Sequence, residues 1–531
     1  MMRSLRLAWV TLGCLGLAAL LWGCADSDDA AKPAKREPSA AGADGQPGPS
    51  SGAGDTFDQA GSGSQAGSGG QAGSGSSGVQ PWVLDGTLVA WSQDQADVML
   101  GANRITGDVS IHGGLDLSAL SSLEHIDGRL QIVSNPTLTN LDMLARLQSI
   151  TGELDITDND ALTDIQGLRH VTTLSGTLSF AENDALLDLQ GLSGLSDALG
   201  TLSVRSNGAM TSLVGLTNLT SVGTLEIRSN PALPGLAGLE ALREADGVWI
   251  QDNGALANLD GLSNLEQANN LLLQSNDALV NVDGLGALKG SLGAAGIYVT
   301  ILSNAAMGRF RLNSLLSAES ISVSDTELTS LELSSLESVN TLAIDHNAAL
   351  VGLNLGSLKS VGTLSLGDNG LTNLDGIAKL QTTHDIDLSY NPSLANVEGL
   401  AQLTKVDGTF EIINDPKLTS LTLSGLSEAG RLMLERNDAL TTLSLPSLKR
   451  VGTLSFFMHP ALTDLNGLSS LQTISDSLSI EQSAVLTSLC GLSALESIGH
   501  LGLVVGNPML PQSQVDWLKS VALGTSTGGC P

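Results

Sequence analysis

From about residue 109 onward, apolar and polar positions alternate in short strands that return at a near-constant interval. The strand reads Leu130-Gln-Ile-Val-Ser-Asn135, then Leu154-Asp-Ile-Thr-Asp-Asn159, Leu178-Ser-Phe-Ala-Glu-Asn183 and Leu202-Ser-Val-Arg-Ser-Asn207. The register continues at Asn230, Asn253 and Asn276 and, after a longer insertion, at Asn304, Asn347, Asn369, Asn391, Asn437 and Asn507. Gly114, Asp415, His459 and Ser483 stand in the same column, and Asp325 falls within one residue of it. A period of roughly 22 to 24 residues held for about eighteen rungs predicts a right-handed parallel β-helix, or β-solenoid. In each rung the first and third strand residues point inward and stack on their copies above and below. The Asn falls where the chain leaves the strand. Its amide can both accept from and donate to the turn's backbone, so a stack of them is expected to form a ladder.

The rest of the rung is equally periodic. A Leu three residues after the Asn (Leu138, Leu162, Leu186) drives back into the core. A second corner reads D-G-L or Q-G-L, as in Asp260-Gly261-Leu262, where Gly is expected to supply a backbone conformation that a Cβ resists. A third, Ile126-Asp127-Gly128, precedes the strand. At about 4.8 Å per rung the array would be a rod near ~85 Å long. Its raw ends need covers. A short helix after Ser92 is expected at the start, and one over Pro511–Leu523, with Val515, Leu518 and Val521 on one face, at the end.

The strand, the N-P-x-L corner (Asn135-Pro-Thr-Leu138) and the I-x-G-x-L phrase resemble the receptor L domain, the β-helical ligand-binding module of insulin and epidermal-growth-factor receptors. They look still more like its bacterial, surface-exported relatives. The spacing departs from the ordinary leucine-rich repeat, which places its next Leu two residues after the Asn rather than three. The resemblance covers roughly residues 105–510 and implies ligand binding by a leucine-rich-repeat-like scaffold; it carries over no ligand-contacting residue.

Before the repeats the chain is of another kind. Arg3 and Arg6 precede an apolar run, Leu7 to Leu21, that reads as an export signal. The run ends in Leu21-Trp22-Gly23-Cys24, which resembles a bacterial lipobox, with Trp22 in place of the usual small residue. That resemblance implies lipidation of Cys24 and, with Ala25 rather than Asp following, an outer-membrane lipoprotein exposed at the cell surface. Residues 60–78, AGSGSQAGSGGQAGSGSSG, cannot bury a core and form a tether. Cys490 and Cys530 are the remaining thiols of the mature chain, and in an oxidising compartment they are expected to pair. The expected organisation is a signal peptide at 1–23, lipidated Cys and tether at 24–79, N-terminal cap at 80–108, solenoid at 109–511 and C-terminal cap at 512–531.

A net charge of −31 disfavours nucleic acid, so membrane contact is expected only through the lipid. No pair among the seven His has metal-ligand spacing, and no nucleophile elbow, phosphate loop or calcium loop occurs, so neither metal nor cofactor is expected. The outward strand positions run Gln131, Asp155, Ser179, Ser203, Glu226, Trp249, Leu272, Thr300 and, two residues on, Val133, Thr157, Ala181, Arg205, Arg228, Gln251, Gln274, Leu302. No catalytic cluster forms there. A patch does: Trp249, Leu272 and Leu302 on successive rungs, with Arg205 and Arg228 just below. Ile413, Met433 and Phe457 form a weaker second group. The insertion near 286–298 would cover the first patch if it folded back. The expectation is a non-enzymatic surface lipoprotein that recognises a protein or carbohydrate partner. The alternatives are a β-helix polysaccharide-processing enzyme and a structural envelope spacer.

Overall fold

The computed structural model describes residues 82–196, 199–526 and 529–531. The signal peptide, Cys24 and the tether therefore lie outside the described residues. Within them the chain is a parallel β-solenoid. Nineteen strands form one ladder, from Leu88–Ala90 to Ser497–Val505, each pairing in parallel with the next rung. The ladder is open at both ends: Leu88–Ala90 pairs only with Val109–His112, and Ser497–Val505 only with Thr473–Glu481.

Inward strand positions are apolar throughout. Leu130, Ile132, Leu154, Ile156, Leu225 and Ile227 are fully buried, and Phe180, Phe310, Phe410 and Phe456 fill the same layer where a larger side chain fits. In-register pairing makes the stacking strict, as in Leu178 on Leu154 and Leu202 on Leu178.

The Asn column is buried, and its side chains run along the solenoid. Asn207 Oδ1 accepts the Asn183 backbone N–H at 3.1 Å, and its Nδ2 donates to the carbonyls of Phe180 and Arg205, both at 3.0 Å. The same links run without a break from Gly114 to Asn304. One residue before each ladder position the backbone is left-handed. Ser134, Asp158, Glu182, Arg436, Met458 and Tyr390 all have φ between 53° and 64°. For residues with a Cβ this conformation costs roughly 1 kcal/mol or more each. It persists because it aims the following Asn inward, where several hydrogen bonds offset it. At the ninth rung from Gly114 the left-handed residue is Asp325, and the buried ladder residue is Thr326, whose Oγ1 donates to Asn347 Oδ1 at 2.6 Å.

The glycine corner is a short 3-10 turn, as at Gln166–Leu168 and Asp260–Leu262. Here the structure corrects the expected reason for Gly. Gly167 and Gly261 do not have positive φ; instead a Cβ would overlap the carbonyl oxygen of the rung before, Leu141 for Gly167 and Leu236 for Gly261. At these corners close stacking of successive backbones, not local conformation, selects glycine, while at Gly215 and Gly238 a positive φ adds to it. Some rungs without this Gly turn the corner as a strand, as at Ser330–Glu332 and Ser420–Thr422.

Gln93–Asp97 is a short helix at the start, with Ala96 buried. At the end, helix Gln512–Ala522 buries Gln514, Trp517, Leu518 and Val521. Val515 is only half-buried, so Trp517 takes the place that the sequence pattern gave it. Gln514 Oε1 accepts the Leu489 N–H at 2.7 Å. Cys490 and Cys530 form a disulfide across 40 residues, which ties the chain end to the last glycine corner.

Replacing Asn207 by Ala would take the side-chain bonds from the Asn183 N–H and from the Phe180 and Arg205 carbonyls, of which Arg205 keeps the Glu182 N–H, at about 1–3 kcal/mol for each orphaned group. Urea unfolding followed by tryptophan fluorescence should show destabilisation of roughly 3 kcal/mol. Asn218→Ala, which loses one exposed bond to Ser193 O, should change it by under about 0.5 kcal/mol.

Candidate functional site

The outward face of the long ladder carries side chains at two columns per strand, held in register by the pairing. Glu226 stands beside Trp249, and Trp249 beside Leu272; in the second column Arg228 stands beside Gln251, and Gln274 beside Leu302. Trp249 is 36% exposed. Its indole lies back over its own strand, since a Cβ on Gly247 would stand 3.4 Å from Nε1. The indole stands on a strand paired on both sides, with Leu272 next to it in the register. The two arginines are already engaged: Arg205 Nε lies 3.7 Å from Glu226 Oε2, and Arg228 Nε 3.6 Å from Asp252 Oδ2. These exposed pairs are weak and can be traded for a ligand's acid. The structure brings Trp249, Leu272 and Arg228 into one neighbourhood. Arg205 and Leu302 are four rungs apart in their column, about 19 Å, and belong to opposite edges of it.

In the second group Ile413 is 3% exposed and offers no surface, while Phe457 lies under the Arg436 guanidinium at 5.9 Å from the ring centroid. An exposed aromatic that the sequence reading did not single out stands at the first rung. Trp91 stacks on His112 with centroids 3.9 Å apart and planes 7° from parallel, and 65% of it is exposed. The strand register, Ala90 beside Ile111, places these two rings side by side.

Two ladder substitutes are ionisable. Asp415 is fully buried; its Oδ1 accepts the Asn391 N–H at 2.6 Å, while Oδ2 has no partner. Burial pushes its carboxyl up to about 8, so it is protonated at neutral pH and stands in for the amide. Burial lowers His459, which remains a neutral ring with Nε2 3.0 Å from Leu434 O. On the outward face, burial raises Asp345 to about 6. Among the described residues no three His, Cys, Asp or Glu side chains stand together in metal-holding geometry, and no helix is long and apolar enough to cross a membrane.

A buried rung core, a repeated Asn corner and a patterned outward sheet are now in place. Over residues 101–193 the chain matches the Receptor L domain. Receptor L domains and leucine-rich repeats are, in general, non-enzymatic ligand-binding scaffolds. No curated protein matches the chain. Among solved structures, a leucine-rich-repeat protein of Leptospira interrogans is similar at 17% identity and a TM-score of 0.26, over 77% of this chain and 90% of that one. TLR13, solved with the single-stranded RNA ssRNA13, is similar at 16% and 0.24, over 80% of this chain and 66% of that one. Internalin InlF of Listeria monocytogenes is similar at 13% and 0.19, over 70% and 85%. Nothing about a ligand follows from these likenesses.

Asp415 gives the solenoid a pH dependence with a definite sign. The folded state keeps a proton that the unfolded chain releases near 3.8, so this group's contribution to stability falls as pH rises from about 4 to about 8. Asp415→Asn should abolish that fall. Melting temperature against pH should be flatter over this window in the variant, and the variant should be the more stable protein at pH 8. His459 acts in the opposite sense, its contribution falling as pH drops below 6.5.

Proposed function

We propose that the chain is an outer-membrane lipoprotein, held by lipid on Cys24, that displays its solenoid on the tether of residues 25–79 to recognise a protein or glycan partner. The observation that carries the reading is the outward ladder face around Trp249. An indole face beside Leu272 and Arg228, on a strand fixed by pairing on both sides, is the composition of an interface hot spot. Preorganisation lowers the entropic cost of binding, because no loop has to be ordered. The acidic surface favours a partner that brings a basic or neutral face, and the charge opposes nucleic acid. The match of residues 101–193 to a ligand-binding family supports recognition over chemistry.

Two measurements test this. Protease applied to intact cells should remove the solenoid while a periplasmic control protein survives; survival of the solenoid until the outer membrane is broken would place it inside the envelope. Against whichever protein or glycan an array of envelope-exposed ligands identifies, Trp249→Ala with Arg228→Ala should weaken binding at least about tenfold. Unchanged binding to every partner would remove this face from the account.

A further inference from the structure

Two carboxylates of the outward face converge on one glycine from the rungs on either side of it. Asp345 stands one rung before Gly367, and Asp387 and Ser389 one rung after. A Cβ on Gly367 would stand 3.6 Å from Asp345 Oδ1, 4.0 Å from Asp387 Oδ2 and 3.2 Å from the Ser389 carbonyl oxygen. Both acids are held in place. Asp345 Oδ1 accepts the Ser365 hydroxyl at 2.7 Å and the Gly367 N–H at 2.9 Å, and Asp387 Oδ1 accepts the Ser389 N–H at 2.9 Å.

Neither acid has a cationic partner. Several other acids of the solenoid are paired: Glu226 with Arg205, Glu266 with Arg243 and Lys289, Asp283 with Arg309 and Arg311. A second observation is independent of the acids. Ser389 is 1% exposed, yet its Oγ has no hydrogen-bond partner. Alternation along the strand puts this hydroxyl on the same face as Asp387. A buried hydroxyl without a partner calls for a ligand, water or ion. Burial, and to a lesser extent the neighbouring Asp387, raise the Asp345 carboxyl, against the hydrogen bonds from Ser365 and Gly367 and the nearby His346.

We propose that Asp345, Asp387 and Ser389 form a binding site for a single hard divalent cation of the calcium type, seated over Gly367. The donors are all oxygens, which suits calcium and not zinc. Calcium takes oxygens at roughly 2.3–2.6 Å, so the carboxylates need to close by on the order of 1 Å. Two carboxylates, the Ser389 hydroxyl and carbonyl, and water supply the coordination, which is why no trio of acids is needed. Gly367 has no side chain to fill the space between the two acids. The cation would lock three rungs together on the same ladder that carries the proposed recognition face, independently of whether Trp249 binds anything.

The test is calcium titration of the full chain by calorimetry, with melting temperature read in parallel. The expected result is one saturable site per chain with Kd near or below about 1 mM, in the range of extracellular calcium modules. Asp387→Asn, which keeps an acceptor for the Ser389 N–H, and Gly367→Ala, which places a methyl in the seat, should each weaken it about tenfold or more. Asp155→Asn, an outward acid far along the ladder, should leave it unchanged. Absence of saturable binding up to about 10 mM calcium, or an affinity in Asp387→Asn and Gly367→Ala equal to that of the unaltered chain, would overturn the proposal.

Discussion

Everything in this solenoid depends on a hydrogen bond that points along its axis. Sheet pairing joins the strands of successive rungs, but the turn after each strand would leave buried amides unpaired. The Asn side chain closes that deficit by accepting from the rung before and donating to two carbonyls, as Asn207 does between Asn183, Phe180 and Arg205. The left-handed residue ahead of each Asn is the cost of that geometry. Met458 and Tyr390 accept it with large side chains, so the ladder bonds outweigh the backbone strain. Where the ladder thins, buried polar atoms lose partners: Asn391 Oδ1, which has no donor from Asn369, and Asp415 Oδ2.

This inward arrangement decides what the outward face can be. With every rung fixed by core, ladder and corner, outward side chains stand in columns whose spacing is that of the sheet itself. The 3-10 corners reinforce this, since glycines such as Gly167 and Gly261 let each rung sit on the carbonyls of the last. A face so rigid suits recognition, in which a few side chains such as Trp249 and Leu272 are presented without motion. It also suits ion binding between rungs, as at Asp345 and Asp387, since the spacing between the two acids is set by strand pairing.

Much of this was legible in the sequence because the repeat multiplies each local signal. The strand, the Asn column and the returning Leu follow from alternation and period alone. The role of the corner glycine was not, because a clash between successive rungs leaves no mark in a single rung. Nor was the left-handed position, where Ser, Asp, Arg, Met and Tyr share no chemistry. The C-terminal helix misled in one detail: Val515 fits the apolar period, but the large Trp517 covers the end of the core. Alternation told which side chains face outward, yet Ile413 faces outward and is buried. Asp345 and Asp387 belong to different columns two rungs apart, so only the structure shows them meeting over Gly367.

The central claim, that axial Asn bonds set the stability of each rung, is tested most directly by native-state hydrogen exchange resolved along the ladder. The account predicts the slowest exchange in the strands from Leu154–Thr157 to Gln267–Gln274, where the ladder is continuous. It predicts the fastest interior exchange at Ser360–Ser365 and Thr382–Asp387, where the link from Asn369 to Asn391 is absent. Equal protection across both stretches, or greater protection in the second, would contradict it.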